Sequence, residues 1–267
     1  MKKINVFALI LALCFIFTGC EVQNAAKASD TGAEKQTDTA SVTPIEKHVV
    51  DSKDDTQKEN DHPDSEYYKI NDYYNMESTD TRMMITHFKT YQQELGYTCG
   101  PSSAYMVLNY FDPETAKNYS EEKIAEICGS TGGGVGTSAG QLAEFFEKEI
   151  GWDVEYYMSH DKKFKDYSSF ISEVVKWNLS FGYPIIVDWC ISSGHWTTII
   201  GFDDMGTETT SDDVLIFGDS GDSGDHYQDG YMTFSAVRFF RMWKESTPFD
   251  GKEVYKQQYV VAHPKDK

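Results

Sequence analysis

The sequence predicts an α+β fold, with helices gathered in the first half of a domain and an antiparallel sheet in the second. Three observations lead there. Apolar residues recur at three- and four-residue spacing from position 99 to about 180. Short β-favouring runs follow from Tyr183 onward. Aromatic residues are absent from 21 to 66 and dense from Tyr67, which sets where a core can begin. Helices first and strands later give segregated α and β parts rather than alternating βαβ units.

The first nineteen residues are expected to be a signal peptide. Lys2 and Lys3 form a basic start, and Asn5 to Phe17 is an almost continuous apolar stretch, too short to span a bilayer comfortably. Phe17-Thr18-Gly19-Cys20 resembles the end of a bacterial lipoprotein signal, with Phe17 departing from the usual aliphatic residue. That resemblance implies lipidation of Cys20 and anchoring in the cell membrane, facing outside the cytoplasm. Residues 20–66 are rich in Ala, Asp, Glu, Lys, Thr, Ser and Gln. They bury too little apolar surface to offset the entropy of ordering, so they are expected to be a disordered tether. Residues 67–267 form one domain, long enough for a single good-sized core.

Within that domain the elements follow in order. Ala104, Val107, Leu108 and Phe111 place a helix after Cys99, with Pro101 in its first turn and Asp112-Pro113 as its stop. Ser120 caps a second helix, with Glu121 and Glu122 in its first turn. Ser138 and Gln141 read as a capping box for a third, which carries Leu142, Phe145 and Phe146 and ends near Gly151. Residues 152–158 are predicted as a short strand, and 168–180 as a fourth helix with Gly182 just beyond it. Tyr183–Cys190, His195–Phe202 and Asp213–Gly218 read as strands. Ser235 caps a helix carrying Phe239, Phe240 and Trp243, and Gln258–Ala262 is a last strand.

Charge narrows the function classes. The chain has 43 acidic and 24 basic residues. Losing residues 1–19 removes two lysines and no acid, leaving 22 basic residues against 43 acidic ones, a formal charge of −21. Nucleic-acid phosphates would be repelled, so no nucleic acid is expected as a partner. Besides Cys14 and Cys20 the chain has Cys99, Cys128 and Cys190, an odd number for an exported domain. Cys128 and Cys190 read as small buried residues, with a disulfide between them as the alternative that export permits.

Cys99 has more around it. A thiol at a helix N-terminus lies beside free N–H groups and the positive end of the helix dipole, which favour the thiolate. Gln93 can supply a side-chain oxyanion donor beside the Cys99 backbone N–H, with Gln92 as the alternative. His195 begins a strongly β-forming run and can act as general base and acid. If 195–202 and 213–219 form a hairpin with Phe202 opposite Asp213, His195 lies opposite 220, one place from Asp219. A carboxylate there would orient the imidazole; Asp222, Asp225 or His226 could serve instead.

Gln93, Cys99-Gly100-Pro101, Gly194-His195-Trp196 before a strand, and Asp219 ending the next strand together resemble the papain-like cysteine peptidases. Within them the chain resembles the bacteriocin-processing peptidases that cut after paired glycines, together with their stand-alone bacterial relatives; the likeness covers roughly residues 83 to 245. It implies a papain-like fold, its nucleophile helix packed on a C-terminal antiparallel sheet, with Cys99 as nucleophile, His195 as base and acid, Asp219 as orienting residue and Gln93 as oxyanion donor. The exporter-fused members process leaders in the cytoplasm. This chain, read as exported and without a transporter, is expected instead to act as a monomer on a peptide or protein substrate near the cell surface. No cofactor is implied. The same triad could serve a cell-wall peptide amidase or an acyl transferase, and a non-catalytic peptide-binding lipoprotein is the alternative from another class.

Other features point less far. The acidic run 219–225 lacks the alternate-position ligand spacing of a helix-loop-helix calcium site and reads as a solvated turn. Gly132-Gly133-Gly134 lacks the Lys-Ser/Thr of a phosphate loop and reads as a connection near the site's rim. Trp196 either shields the imidazole or packs in the core.

Overall fold

The structure is a computed structural model that describes residues 49–50 (backbone only), 70–130, 136–189, 194–222, 227–243 and 255–265. The chain divides into units Met1–Thr43 and Pro44–Lys267, and every described residue lies in the second. The signal peptide, Cys20, Gly132–Gly134 and Cys190 lie outside the described residues.

The helices form where their local signals place them. The first, α1, spans Cys99–Phe111, and Asp112 both ends it and caps the short α2, Pro113–Ala116, by accepting from Thr115 N–H. Ser120 accepts from Lys123 N–H at the start of α3, Glu121–Cys128. Both halves of the Ser138/Gln141 capping box are present at the start of α4, Ala139–Glu144. That helix widens into a π-helical turn over Phe145–Ile150 and stops at Gly151, whose φ of 85° suits a residue without Cβ. Asp166 caps α5, Tyr167–Phe170, which continues through a π-helical Ile171–Lys176 into α6, Trp177–Ser180. Ser235 caps α7, Ala236–Met242, through Arg238 N–H.

Among the described residues, seven strands form one antiparallel sheet: β2 (Arg82–Met84), β4 (Asp153–Ser159), β5 (Ile185–Trp189), β6 (His195–Asp203), β7 (Val214–Gly218), β8 (Tyr231–Ser235) and β9 (Lys256–His263). The order is β4-β9-β5-β6-β7-β8, with β2 also paired to β6. The strands β2 and β8 were not foreseen. Two more short strands, β1 (Val49–Val50) and β3 (Thr90–Tyr91), pair in parallel apart from the main sheet. Val49 lies opposite Thr90 and Val50 opposite Tyr91.

The β6–β7 hairpin departs from the expected register. Phe202 pairs with Leu215, not Asp213, and an irregularity between Ile199 and Gly201 brings Thr198 opposite Gly218. The physical reason lies in the polar 204–213 connection. Its short 3-10 turn, Thr210–Asp212, lets β7 begin only at Val214.

Adjacent residues of β7 face opposite layers, as the pleat requires. Phe217 stacks on Trp189 (5.9 Å between centroids) and packs on Phe239 of α7 (5.5 Å). A Cβ on Gly218 would come within 2.9 Å of Phe88 and 3.8 Å of Met106 Sδ on α1. The sheet is thus covered by α7 on one face and α1 on the other. This is the expected α+β arrangement, and it sets the N-terminus of α1 beside the first residues of β6.

Candidate active site

Cys99 is the first residue of α1 and is 7% exposed. The preceding Thr98 occupies the cap position, yet its hydroxyl caps nothing in α1. It donates to Leu95 O (2.8 Å) and to the Glu121 carboxylate. The first-turn N–H groups of α1 therefore have no side-chain acceptor, which leaves the positive end of the helix open around the sulfur.

His195 opens β6 and meets Asp219, which follows the last residue of β7. Its Nε2 lies 2.6 Å from Asp219 Oδ1, with the Asp219 side chain 7% exposed. The Gly221 N–H donates to the same oxygen at 2.9 Å. The misjudged register does not break the pair, because a long side chain reaches a diagonal neighbour across an antiparallel ladder. Cys99 lies close enough to His195 to act on its charge. With Nε2 committed to Asp219, Nδ1 is the nitrogen left for the thiol. Burial pulls the imidazole pKa down, but the Asp219 hydrogen bond and the charges of Asp219 and Cys99 outweigh it and raise the value to about 10. An imidazolium held in this way is both counter-ion to a thiolate and donor to a leaving group.

The structure separates the two glutamines. Gln93 Oε1 accepts from Ser220 Oγ at 2.8 Å, its backbone N–H donates to Ser220 O at 2.8 Å, and its Nε2 donates to Leu95 O at 2.7 Å. Ser220 thereby fixes which way the amide faces, and the second amide hydrogen stays available. A Cβ placed on Gly221 would lie 3.1 Å from His195 Cε1 and 3.5 Å from Gln93 Oε1, so both side chains converge on one glycine. Gln92 is buried elsewhere, against Gly230.

Of the other candidates for the orienting acid, Asp222 accepts from Gly230 N–H at 3.1 Å, while Asp225 and His226 lie outside the described residues. Among the described residues no group of three or more His, Cys, Asp or Glu could hold a metal ion. Trp196 packs rather than shields: it is 3% exposed, donates from Nε1 to Thr137 O at 2.8 Å, and has Cδ1 against Gly100. A side chain on Gly100 would meet Thr137 Cβ at 2.9 Å, so the Cys-Gly step is required by packing as well. Cys128 is a free thiol, 3% exposed.

Sequence reasoning missed Ser220, Gly221 and Glu121. Ser220 and Gly221 stand directly after Asp219, a signal that was available. Glu121 read only as a first-turn acid of α3. It is instead 2% exposed and accepts from Glu94 N–H, Leu95 N–H and the Thr98 hydroxyl, with Tyr91 beside it. Burial raises its carboxyl pKa, and these hydrogen bonds pull against that rise.

The model of the Peptidase_C39 like family matches residues 85–247, more than half of the chain and including all four candidate residues. No curated protein matches. Among solved structures, the chain is similar to the crystal structure of UfSP from C.elegans, at 12% identity and a TM-score of 0.41. That alignment covers 72% of this chain and 36% of that one.

Proposed function

We propose, from the premise that the chain belongs to the Peptidase_C39 like family, that it is a cysteine peptidase that hydrolyses peptide bonds outside the cytoplasm while anchored by a lipid on Cys20. The single observation that carries the reading is the His195–Asp219 hydrogen bond beside Cys99 at an uncapped helix N-terminus. The thiolate attacks the scissile carbonyl carbon, forming a C–S bond and a tetrahedral oxyanion. The Cys99 N–H and the Gln93 amide donate to that oxyanion. The imidazolium gives its proton to the leaving amine as the C–N bond breaks, which leaves a thioester. Neutral His195 then takes a proton from water, hydroxide adds to the thioester, and expulsion of the thiolate restores the pair. Asp219 keeps the imidazole in one orientation throughout. Lys2, Lys3, the apolar stretch that follows and Cys20 support export and anchoring, and residues 21–66 supply reach to peptides near the cell surface. No helix among the described residues is long and apolar enough to cross a membrane.

One experiment tests both parts. The full chain is expressed with its first twenty residues in a bacterial host, and membrane fractions are given a peptide library. Cleavage is expected from the native protein and is lost in Cys99→Ala, while Cys20→Ser moves the activity to the soluble fraction. Cleavage retained by Cys99→Ala overturns the nucleophile assignment. A Cys20→Ser protein that stays with membranes overturns the anchor.

A further inference from the structure

We propose that Glu121 is a positioning residue for the oxyanion hole, its carboxylate clamping the loop from Glu94 to Thr98 so that the Gln93 amide and the Cys99 N–H keep a fixed separation. The proposal rests on the hydrolase reading above and assigns a part of the same site.

The geometry is that of a clamp across a loop. Glu121 Oε2 accepts from Glu94 N–H at 2.9 Å, directly after Gln93. Its Oε1 accepts from Leu95 N–H at 3.3 Å and from the Thr98 hydroxyl, directly before Cys99. The Tyr91 side chain of β3, just upstream of the two glutamines, lies beside the same carboxylate. The contacts thus bracket both residues that would donate to the oxyanion, and they come from a helix that contributes neither of them.

Why a carboxylate stands there follows from the donor count. Three donors converge on one side chain that is 2% exposed. An alkyl group would leave buried N–H and O–H groups without acceptors, and an amide would turn two N–H bonds against them. Burying a charge is unfavourable unless it is fully hydrogen-bonded, and here the loop supplies the bonds. There is a second consequence. Thr98 sits where a threonine ordinarily caps its helix, accepting from a first-turn N–H. Glu121 and Leu95 O draw its hydroxyl away, and α1 has no side-chain cap. The N–H groups at the mouth of α1 are therefore kept open to a developing oxyanion.

A positioning role separates two reactions of the same sulfur. Alkylation by iodoacetamide is a displacement at a saturated carbon and passes through no oxyanion. Amide hydrolysis, and hemithioacetal formation with a peptide aldehyde, both place an oxygen in the hole. In E121Q, kcat on a cleaved peptide is expected to fall about 10²-fold, the size of losing one oxyanion donor. The affinity for acetyl-phenylalanyl-glycinal is expected to weaken by a similar factor. The rate of Cys99 alkylation stays within about threefold, and KM changes little. Thr98→Val, which removes one arm of the clamp and leaves the charge, is expected to show the same pattern at smaller amplitude. Circular dichroism and Tm establish that each variant is folded.

Equal losses in alkylation, hydrolysis and aldehyde affinity would mean that Glu121 only holds the fold together, and would overturn the proposal. So would full kcat and aldehyde affinity in folded E121Q. Failure of the hydrolase reading looks different: the native protein then cleaves no peptide at all. In that case the aldehyde still reads the hole, and equal affinity in native protein and E121Q again overturns the clamp.

Discussion

Two buried cysteines lie at opposite ends of two helices, and their surroundings part company. Cys99 begins α1 and Cys128 ends α3. Both are nearly inaccessible, at 7% and 3% exposed. Cys128 sits among the last carbonyls of its helix, its Sγ donates weakly to Gln141 O at 3.8 Å, and burial alone pushes its pKa up to about 12. Cys99 has free helix N–H groups on one side and a histidine raised to about 10 on the other. Burial by itself makes a thiol inert. What makes one reactive is a positive partner that arrives with it into the same desolvated place.

The largest effect should come from removing that partner. In His195→Ala, hydrolysis is expected to fall on the order of 10⁴-fold. Iodoacetamide labelling of Cys99, followed by intact mass at neutral pH, should slow at least about tenfold, since an unassisted thiol is only a few per cent ionised there. Cys128 should remain unlabelled in the native protein throughout. Unchanged labelling of Cys99 would show that the helix terminus activates the thiol without the imidazole.

Replacing the carboxylate behind the histidine should do less. Asp219→Asn is expected to lower kcat/KM about 10²-fold, within the ordinary range for general acid–base assistance, with the domain still folded. Its pH profile is the sharper readout. The folded imidazole has a pKa of about 10, well above the roughly 6.5 of an unfolded chain. Its contribution to stability is therefore complete below about pH 6.5 and disappears as pH rises through about 10. The alkaline limb of kcat/KM should fall in that upper region, as the general acid is lost. Without the Asp219 charge the limb should move toward neutrality; a limb that stays in place would mean Cys99 alone holds the proton on His195.

The contrast between the cysteines was partly legible in the sequence. Ser120, Ser138 and Gln141 announce their helices because a cap acts over three residues, and Cys99-Gly100-Pro101 announces a helix start in the same way. The hairpin placed His195 and Asp219 at one end of the sheet even with its register wrong, since an error of one or two residues is within the reach of the side chains. What stayed hidden depends on distant partners. Gln93 is distinguished from Gln92 by Ser220, 127 positions away. Glu121 belongs locally to a helix start, and only the packing of α3 beneath the loop turns it toward Thr98. The strand β8 follows an Asp-Gly turn and is half exposed, so little in its five residues sets it apart until β7 pairs with it.

The smallest effect should come from the other cysteine. Cys128→Ala removes one buried sulfur and its single weak hydrogen bond. The lost packing destabilises by about 1–2 kcal/mol at a site that cannot fully collapse. Part of this is offset because alanine is the better helix former, by some tenths of a kcal/mol. The net loss of about 1 kcal/mol should appear as a Tm lower by about 2–4 °C for a domain of this size. Hydrolysis and the rate of Cys99 labelling should both stay within about twofold of the native protein, because no bond of Cys128 reaches the His195 line. A Cys128→Ala protein that keeps its Tm but loses activity would erase the distinction between the two thiols and give the second one a part in the chemistry.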